Sequence, residues 1–264
     1  MLDALLAHLS GILDAYGPAA MVFAVAAMTA AGFVKGAVGF ALPLIALSGL
    51  GTVFPPTLAV AGLIGPTVVS NVWQTFRQGV GAAWESFRRY WRLNLMLVVL
   101  IGLFAQLVDD IPERALFLIL GAGVFAFGLA QLFGLRPPKP SRRMVPAVEG
   151  GVALVGGFFG GLAGIWGPPI VLYLAAIEVE KREAVRVQGI LFLIGSVVLV
   201  AAHLRSGLLL GEGGALAIAM VVPAMLGMAA GLSLQDRMNP AVFRKVTLVV
   251  LVLAGLNLIR RGAF

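Results

Sequence analysis

The chain has 264 residues, of which 60% are hydrophobic and 12% charged, and its mean hydropathy is +1.01. Soluble domains carry about a quarter charged residues, so this composition excludes one and describes an all-α polytopic membrane protein. The net charge of +7 lies in short basic clusters between apolar stretches rather than along one face, which reads as topology control and not as a nucleic-acid surface.

No basic segment precedes the first apolar stretch, so that stretch is expected to be a retained helix rather than a cleaved signal. Apolar stretches run at 12–34, 37–53, 57–76, 93–108, 112–135, 147–163, 165–179, 187–204, 214–234 and 246–259. A spanning helix needs about 20 apolar residues, so the chain holds roughly eight to ten membrane segments and no soluble domain.

Between the first and second stretches lies Gly32-Phe33-Val34-Lys35-Gly36-Ala37-Val38-Gly39-Phe40-Ala41-Leu42-Pro43. About 125 residues later, Gly157-Phe158-Phe159-Gly160-Gly161-Leu162-Ala163-Gly164-Ile165-Trp166-Gly167-Pro168 aligns with it without a gap, in the frame G-F-x-x-G-x-x-G-x-x-x-P. Glycine and proline at fixed places break a membrane helix and free backbone N–H and C=O groups that only a protein-lined cavity can satisfy. Paired breaks in two halves of one chain point to a transporter's central site. Gly36, Gly39, Gly161 and Gly164 permit close approach of backbone to a ligand; their alternative use is close helix packing, as expected for Gly227 and Gly231. Pro43 and Pro168 suit the first turns of helices whose N-termini aim inward. Phe40 and Trp166 lie beside the breaks as candidate cavity walls, with core packing as the alternative.

Lys35 is the only basic residue expected deep in the membrane, where an ionisable group costs roughly 2.5–3.5 kcal/mol. It is the candidate counter-charge for an anion, aided by helix N-terminal N–H groups; the alternative is that it snorkels to an interface. Among polar residues within spans, Asn71 and Gln188 follow the two motif hairpins and are the better candidates for substrate contact than Gln74, Gln106, Gln131 or Asn257. Glu149 opens the second hairpin as either an interface residue or a carrier of a coupling proton. Trp73, Trp84, Tyr90 and Trp91 read as interfacial anchors.

Basic residues arbitrate the topology. If each glycine motif is a hairpin, the clusters at 77–92, 136–143, 181–186 and 237–245 share the cytoplasmic side, leaving only Arg114, Arg205, Arg260 and Arg261 outside. Single kinked spans would distribute them less unevenly, so the hairpin arrangement obeys the positive-inside rule better. The expected organisation is two inverted-topology repeats of about five segments each, with broken-helix hairpins at the glycine motifs. Residues 1–135 form the first repeat, 136–146 a proline-rich cytoplasmic linker and 147–264 the second. Both termini then lie outside.

The doubled glycine motif, the prolines that follow it and the remaining short helices resemble the sulfite exporter TauE/SafE family of membrane permeases over nearly the whole chain. The resemblance implies movement of sulfite or an organosulfonate across a bacterial-type inner membrane. Lys35 and Ala37 depart from the more glycine-rich form at Gly160 and Leu162.

No nucleotide-binding G-x-x-x-x-G-K-[ST] loop, no H-E-x-x-H and no cysteine is present, and His8 and His203 are the only histidines, which disfavours a pump or an intramembrane enzyme. The expected partners are a small anion, a coupling proton or sodium ion and the lipid bilayer, with no cofactor and no metal. A small-carboxylate transporter and an anion channel of the same architecture remain the alternatives.

Overall fold

The computed structural model describes residues 2–104, 112–134, 139–163, 167–205 and 207–263. They form twelve helices: α1 (Leu2–Val38), α2 (Leu42–Leu50), α3 (Pro56–Phe76), α4 (Val80–Arg89), α5 (Trp91–Phe104), α6 (Glu113–Leu132), α7 (Val145–Ala163), α8 (Gly167–Ala176), α9 (Lys181–Arg205), α10 (Glu212–Ala219), α11 (Val221–Arg237) and α12 (Pro240–Ala263). No strand occurs among the described residues. Each of the ten apolar stretches meets a helix. Four helical runs are long and apolar enough to cross a membrane: 2–38, 181–205, 212–237 and 241–263. Large side chains such as Val22, Leu226 and Leu253 are more than half exposed on these runs, where only lipid offers an apolar solvent. The chain is an all-α, multi-pass membrane protein.

The differences from the sequence reading have physical causes. The helix at α1 starts ten residues earlier than the apolar stretch, because Asp3, His8 and Asp14 dilute its hydropathy without breaking a leucine- and alanine-rich helix. Gly17, at φ 80°, followed by Pro18, kinks α1 and separates this N-terminal part from the rest. The stretch at 214–234 is two abutting helices joined at Met220; Pro223 lacks the N–H that would continue the ladder. α4 is too charged to register as a span. Trp84 stacks on Phe87 with ring centroids 5.6 Å apart, and Trp73, Trp84 and Trp91 are exposed as anchors should be, whereas Tyr90 is buried.

The chain divides into two compact units that interleave in sequence. One comprises Met1–Gln74 with Ser196–Met238, the other Thr75–Gly195 with Asn239–Phe264. In the first, α1 packs along α11 through small residues. A Cβ on Gly36 would lie 2.8 Å from the Leu232 nitrogen and closer still to the Met228 carbonyl, and one on Gly231 would lie 3.0 Å from the Gly36 Cα. Gly32 meets Ala224 and Gly227 meets Thr29 in the same way. Ile12, Met28, Leu42, Leu50, Ile64 and Leu216 fill the core beside this seam.

In the second unit α7 packs along α5, and α6 along α12. Gly157 of α7 meets Leu100 of α5, and Gly121 and Gly255 bring α6 against α12. Arg114 donates through Nε and Nη2 to the carbonyls of Gly262 (2.8 Å) and Ala263 (3.0 Å), closing the C-terminus of α12. At another edge the basic clusters converge. Arg89 pairs with Glu183 at 3.0 Å, Arg186 donates to Ser86 at 2.8 Å and to Gln78, and Lys139 pairs with Glu178 at 3.3 Å.

Candidate functional site

The site begins where α1 ends. Gly39 (φ 89°) and Ala41 (φ 76°) both take left-handed backbone, and Phe40 between them is buried. Glycine adopts this conformation freely, while alanine there costs roughly 1–2 kcal/mol. The chain then restarts as α2, with Pro43 in its first turn. α2 has 9 residues and α8 has 10, half of what a span requires. Ala41 offers no side-chain cap, so the first N–H groups of α2 have no side-chain acceptor at the N-cap.

A helix that stops inside a membrane leaves carbonyls without partners. Here amides from two other helices supply them. Gln74 of α3 donates through Nε2 to the Gly39 carbonyl at 3.0 Å, and Gln235 of α11 donates to the Gly36 carbonyl at 3.0 Å. Gln235→Leu is expected to lower stability by about 1–3 kcal/mol, the cost of stranding a buried acceptor, read as a lower unfolding midpoint in detergent.

Lys35 sits in this last turn and is 2% exposed. It does not snorkel out: Nζ donates to Asn71 Oδ1 at 2.7 Å, and Asn71 is itself buried on α3. One compact unit therefore brings together Lys35, Gly36, Gly39, Phe40, Pro43 and Asn71, with Gln74 and Gln235 as additional members. Gly36 stands on the α11 seam, so close packing accounts for its lack of a side chain. Gln235 was missed because it lies just beyond its apolar stretch; its spacing of one turn from Gly231 is the signal that could have found it. Gln74 drew less weight than Asn71, although both face the break.

The second motif belongs to the other unit. Gly161 falls in the last turn of α7 and Pro168 in the first turn of α8, while Gly164 and Trp166 lie outside the described residues. α7 ends at Ala163 and α8 begins at Gly167, the positions aligned with Val38 and Leu42. Gln188 lines a cavity within this unit. Glu149 of α7 is buried, accepts from Tyr173 Oη of α8 at 3.1 Å and stands 3.4 Å from Arg92 Nε of α5. Removing one member of a buried pair strands the other. Arg92→Met is expected to cost about 2 kcal/mol, below the roughly 3–5 kcal/mol of a fully buried pair because Arg92 is half exposed, and Arg92→Met/Glu149→Met to recover most of it in thermal unfolding.

The described residues thus form a helical multi-pass fold with Lys35 buried beside the helix break that precedes Leu42. Residues 24–258 match the family "Sulfite exporter TauE/SafE", and the chain belongs to it. No curated protein and no solved structure matches the chain. Members of this family are transporters rather than enzymes.

Proposed function

We propose that the chain is a secondary permease for a small sulfur-containing oxyanion, sulfite or an organosulfonate, coupled to a proton or sodium gradient, with Lys35 as the counter-charge at its central site. The burial of Lys35 at the α1–α2 break carries the proposal. An ammonium group at mid-membrane costs roughly 2.5–3.5 kcal/mol. Its position in the last turn of α1 recovers about 0.3–1 kcal/mol from the helix dipole, and the Asn71 hydrogen bond about 1.5–3 kcal/mol. The site is thus close to break-even as packing alone, a weak reason to keep a charge there and a strong one if an anion occupies it. The start of α2, seven residues further along, adds N–H groups suited to an oxyanion.

The inverted-repeat reading rests on correspondences. The first motif holds a break between Val38 and Leu42, and the second motif aligns with it without a gap. The pairing is also exchanged: Gly32 of the first half meets Ala224 of the second, and its counterpart Gly157 meets Leu100 of the first. In this reading 1–135 and 147–264 are the repeats and 136–146 the linker. The pairing of Arg114 with Gly262 and Ala263 supports their assignment to one side, and that of Arg89 with Glu183 supports the assignment of 77–92 and 181–186 to a common side. Gly161, Gly164, Trp166 and Pro168 are proposed as substrate-binding residues by the alignment of the second motif with the first.

The test is flux into proteoliposomes of labelled sulfite and a two-carbon sulfonate, with imposed proton or sodium gradients. Saturable sulfite flux driven by one gradient supports the proposal. Non-saturating conductance points to a channel, and saturable flux of small carboxylates alone points to the other anion class.

A further inference from the structure

We infer that Glu149 carries the coupling proton, so that the driving ion is a proton and not sodium; the inference rests on the permease reading above. Among the described residues only two charged side chains are buried, Lys35 and Glu149, and Glu149 is the only carboxylate of the two. At 3% exposed it is not the interface residue that its place near the start of α7 allows. A carboxylate buried in a membrane helix is costly, and such residues mark proton relays.

Its neighbours suit a group that changes charge. Tyr173 Oη donates to Glu149 Oε1 at 3.1 Å, and a phenol serves an ionised carboxylate and the carbonyl oxygen of the acid alike. Oε2 faces Arg92 Nε at 3.4 Å, an ion pair without a hydrogen bond. The Arg92 side chain is 44% exposed and that of Glu149 5%. When Glu149 is neutral, the guanidinium can therefore turn to water or headgroups rather than stay buried and unpaired. Both neighbours are donors and one is a cation, which favours a proton over a metal ion. Sodium on Oε2 would stand beside the guanidinium, and like charges about 4 Å apart repel by roughly 4 kcal/mol near a protein surface. A proton needs only a lone pair.

Of the helices packed against α7, α5 offers Arg92 and α8 offers Tyr173, while α6 has its charges in its first two residues, Glu113 and Arg114, the latter bound to the C-terminus of α12. Tyr90, buried just before α5, is the other titratable group in electrostatic reach of Tyr173. All these groups lie in one compact unit. Glu149 and Tyr173 stand on the two arms that flank the second glycine motif. Ionised, Glu149 ties both arms to α5; protonated, it ties the arms only to each other. Uptake forms an O–H bond at Oε2 with a proton from water, cancels the carboxylate charge and frees Arg92. Release returns the proton to water and re-forms the pair, so the proton biases a two-state contact beside the motif.

The experiment is flux of labelled sulfite and of the two-carbon sulfonate into proteoliposomes, with the membrane potential clamped at zero and protein-free vesicles as the blank. A gradient of one pH unit is worth about tenfold accumulation for one proton per anion. Wild type is expected to approach that ratio under a proton gradient, in one of its two orientations, and to concentrate neither anion under a sodium gradient. Glu149→Gln keeps the acceptor for Tyr173 but holds no acid proton. It should exchange labelled for unlabelled anion near the wild-type rate and yet concentrate none under the proton gradient. Should its unfolding midpoint show that Glu149→Gln does not fold, Arg92→Met/Glu149→Gln, which strands no charge, is read in its place by the same criteria. Accumulation driven by sodium alone, accumulation retained without the carboxylate, or loss of exchange together with accumulation in the folded variant overturns the inference and leaves the permease reading standing. Absence of saturable flux in wild type overturns both.

Discussion

Lys35→Met is expected to raise the Km for anion transport roughly 10- to 150-fold while the protein stays folded. Replacing a charge-assisted hydrogen bond to a bound oxyanion removes about 1.5–3 kcal/mol, which is roughly a 10- to 150-fold loss of affinity at the site. The same change relieves the burial of an ammonium group and strands the Asn71 Oδ1 acceptor that it served. Those two effects are each a few kcal/mol and opposed. The unfolding midpoint in detergent should therefore move little, in either direction, and a residue retained for function at no gain in stability fits that pattern. Were Lys35 a structural group, Lys35→Met would lower the midpoint sharply and leave transport by the surviving folded fraction at the wild-type Km.

Gly36→Leu prevents α1 and α11 from closing. A side chain there runs into the Met228 carbonyl and lies 2.8 Å from the Leu232 nitrogen, both backbone atoms that no rotamer change can move aside. Overpacking of side chains costs about 1–3 kcal/mol and occasionally more; a clash with backbone across a helix seam belongs at or beyond the upper end, about 3 kcal/mol. Gly231→Leu on the opposing face should do the same, since its added Cβ meets the Phe33 carbonyl and the Gly36 Cα. Little monodisperse protein should elute from size exclusion for either variant. Gly81→Leu, which meets nothing within 4 Å on the short helix α4, should leave elution and midpoint unchanged or improved. Equal tolerance at Gly36 and Gly81 would refute the seam.

The apolar stretches were legible because a membrane helix is written as an unbroken local property. The break at Gly39 was legible for a similar reason, since glycine followed by proline marks it whatever surrounds it. The lengths of α2 and α8 were not, because both are continuous in hydropathy with the residues around them; positive φ at Gly39 and Ala41 sets where α2 starts, positive φ at Glu178 follows the end of α8, and α2 ends at Gly51 with ordinary right-handed φ. The exchange of partners between halves was also hidden. Nothing local in Gly157 says that it meets Leu100 of the first half rather than a helix of its own. At the site, Lys35 and Asn71 declared themselves as polar residues in apolar surroundings. Gln74 and Gln235 became important only once the stopped helix exposed carbonyls that they satisfy, a demand created by the fold. Tyr90 illustrates the converse: its place in an aromatic cluster suggested an exposed anchor, and packing against the basic edge buried it.

The most direct test of the central claim is equilibrium binding of labelled sulfite to the purified protein, comparing wild type with Lys35→Met and Asn71→Leu. One saturable site in wild type, lost in Lys35→Met and weakened in Asn71→Leu as the lysine loses the carbonyl that positions it, is the result predicted by an anion site at the α1–α2 break. Sulfite binding of equal affinity in wild type and Lys35→Met would contradict it.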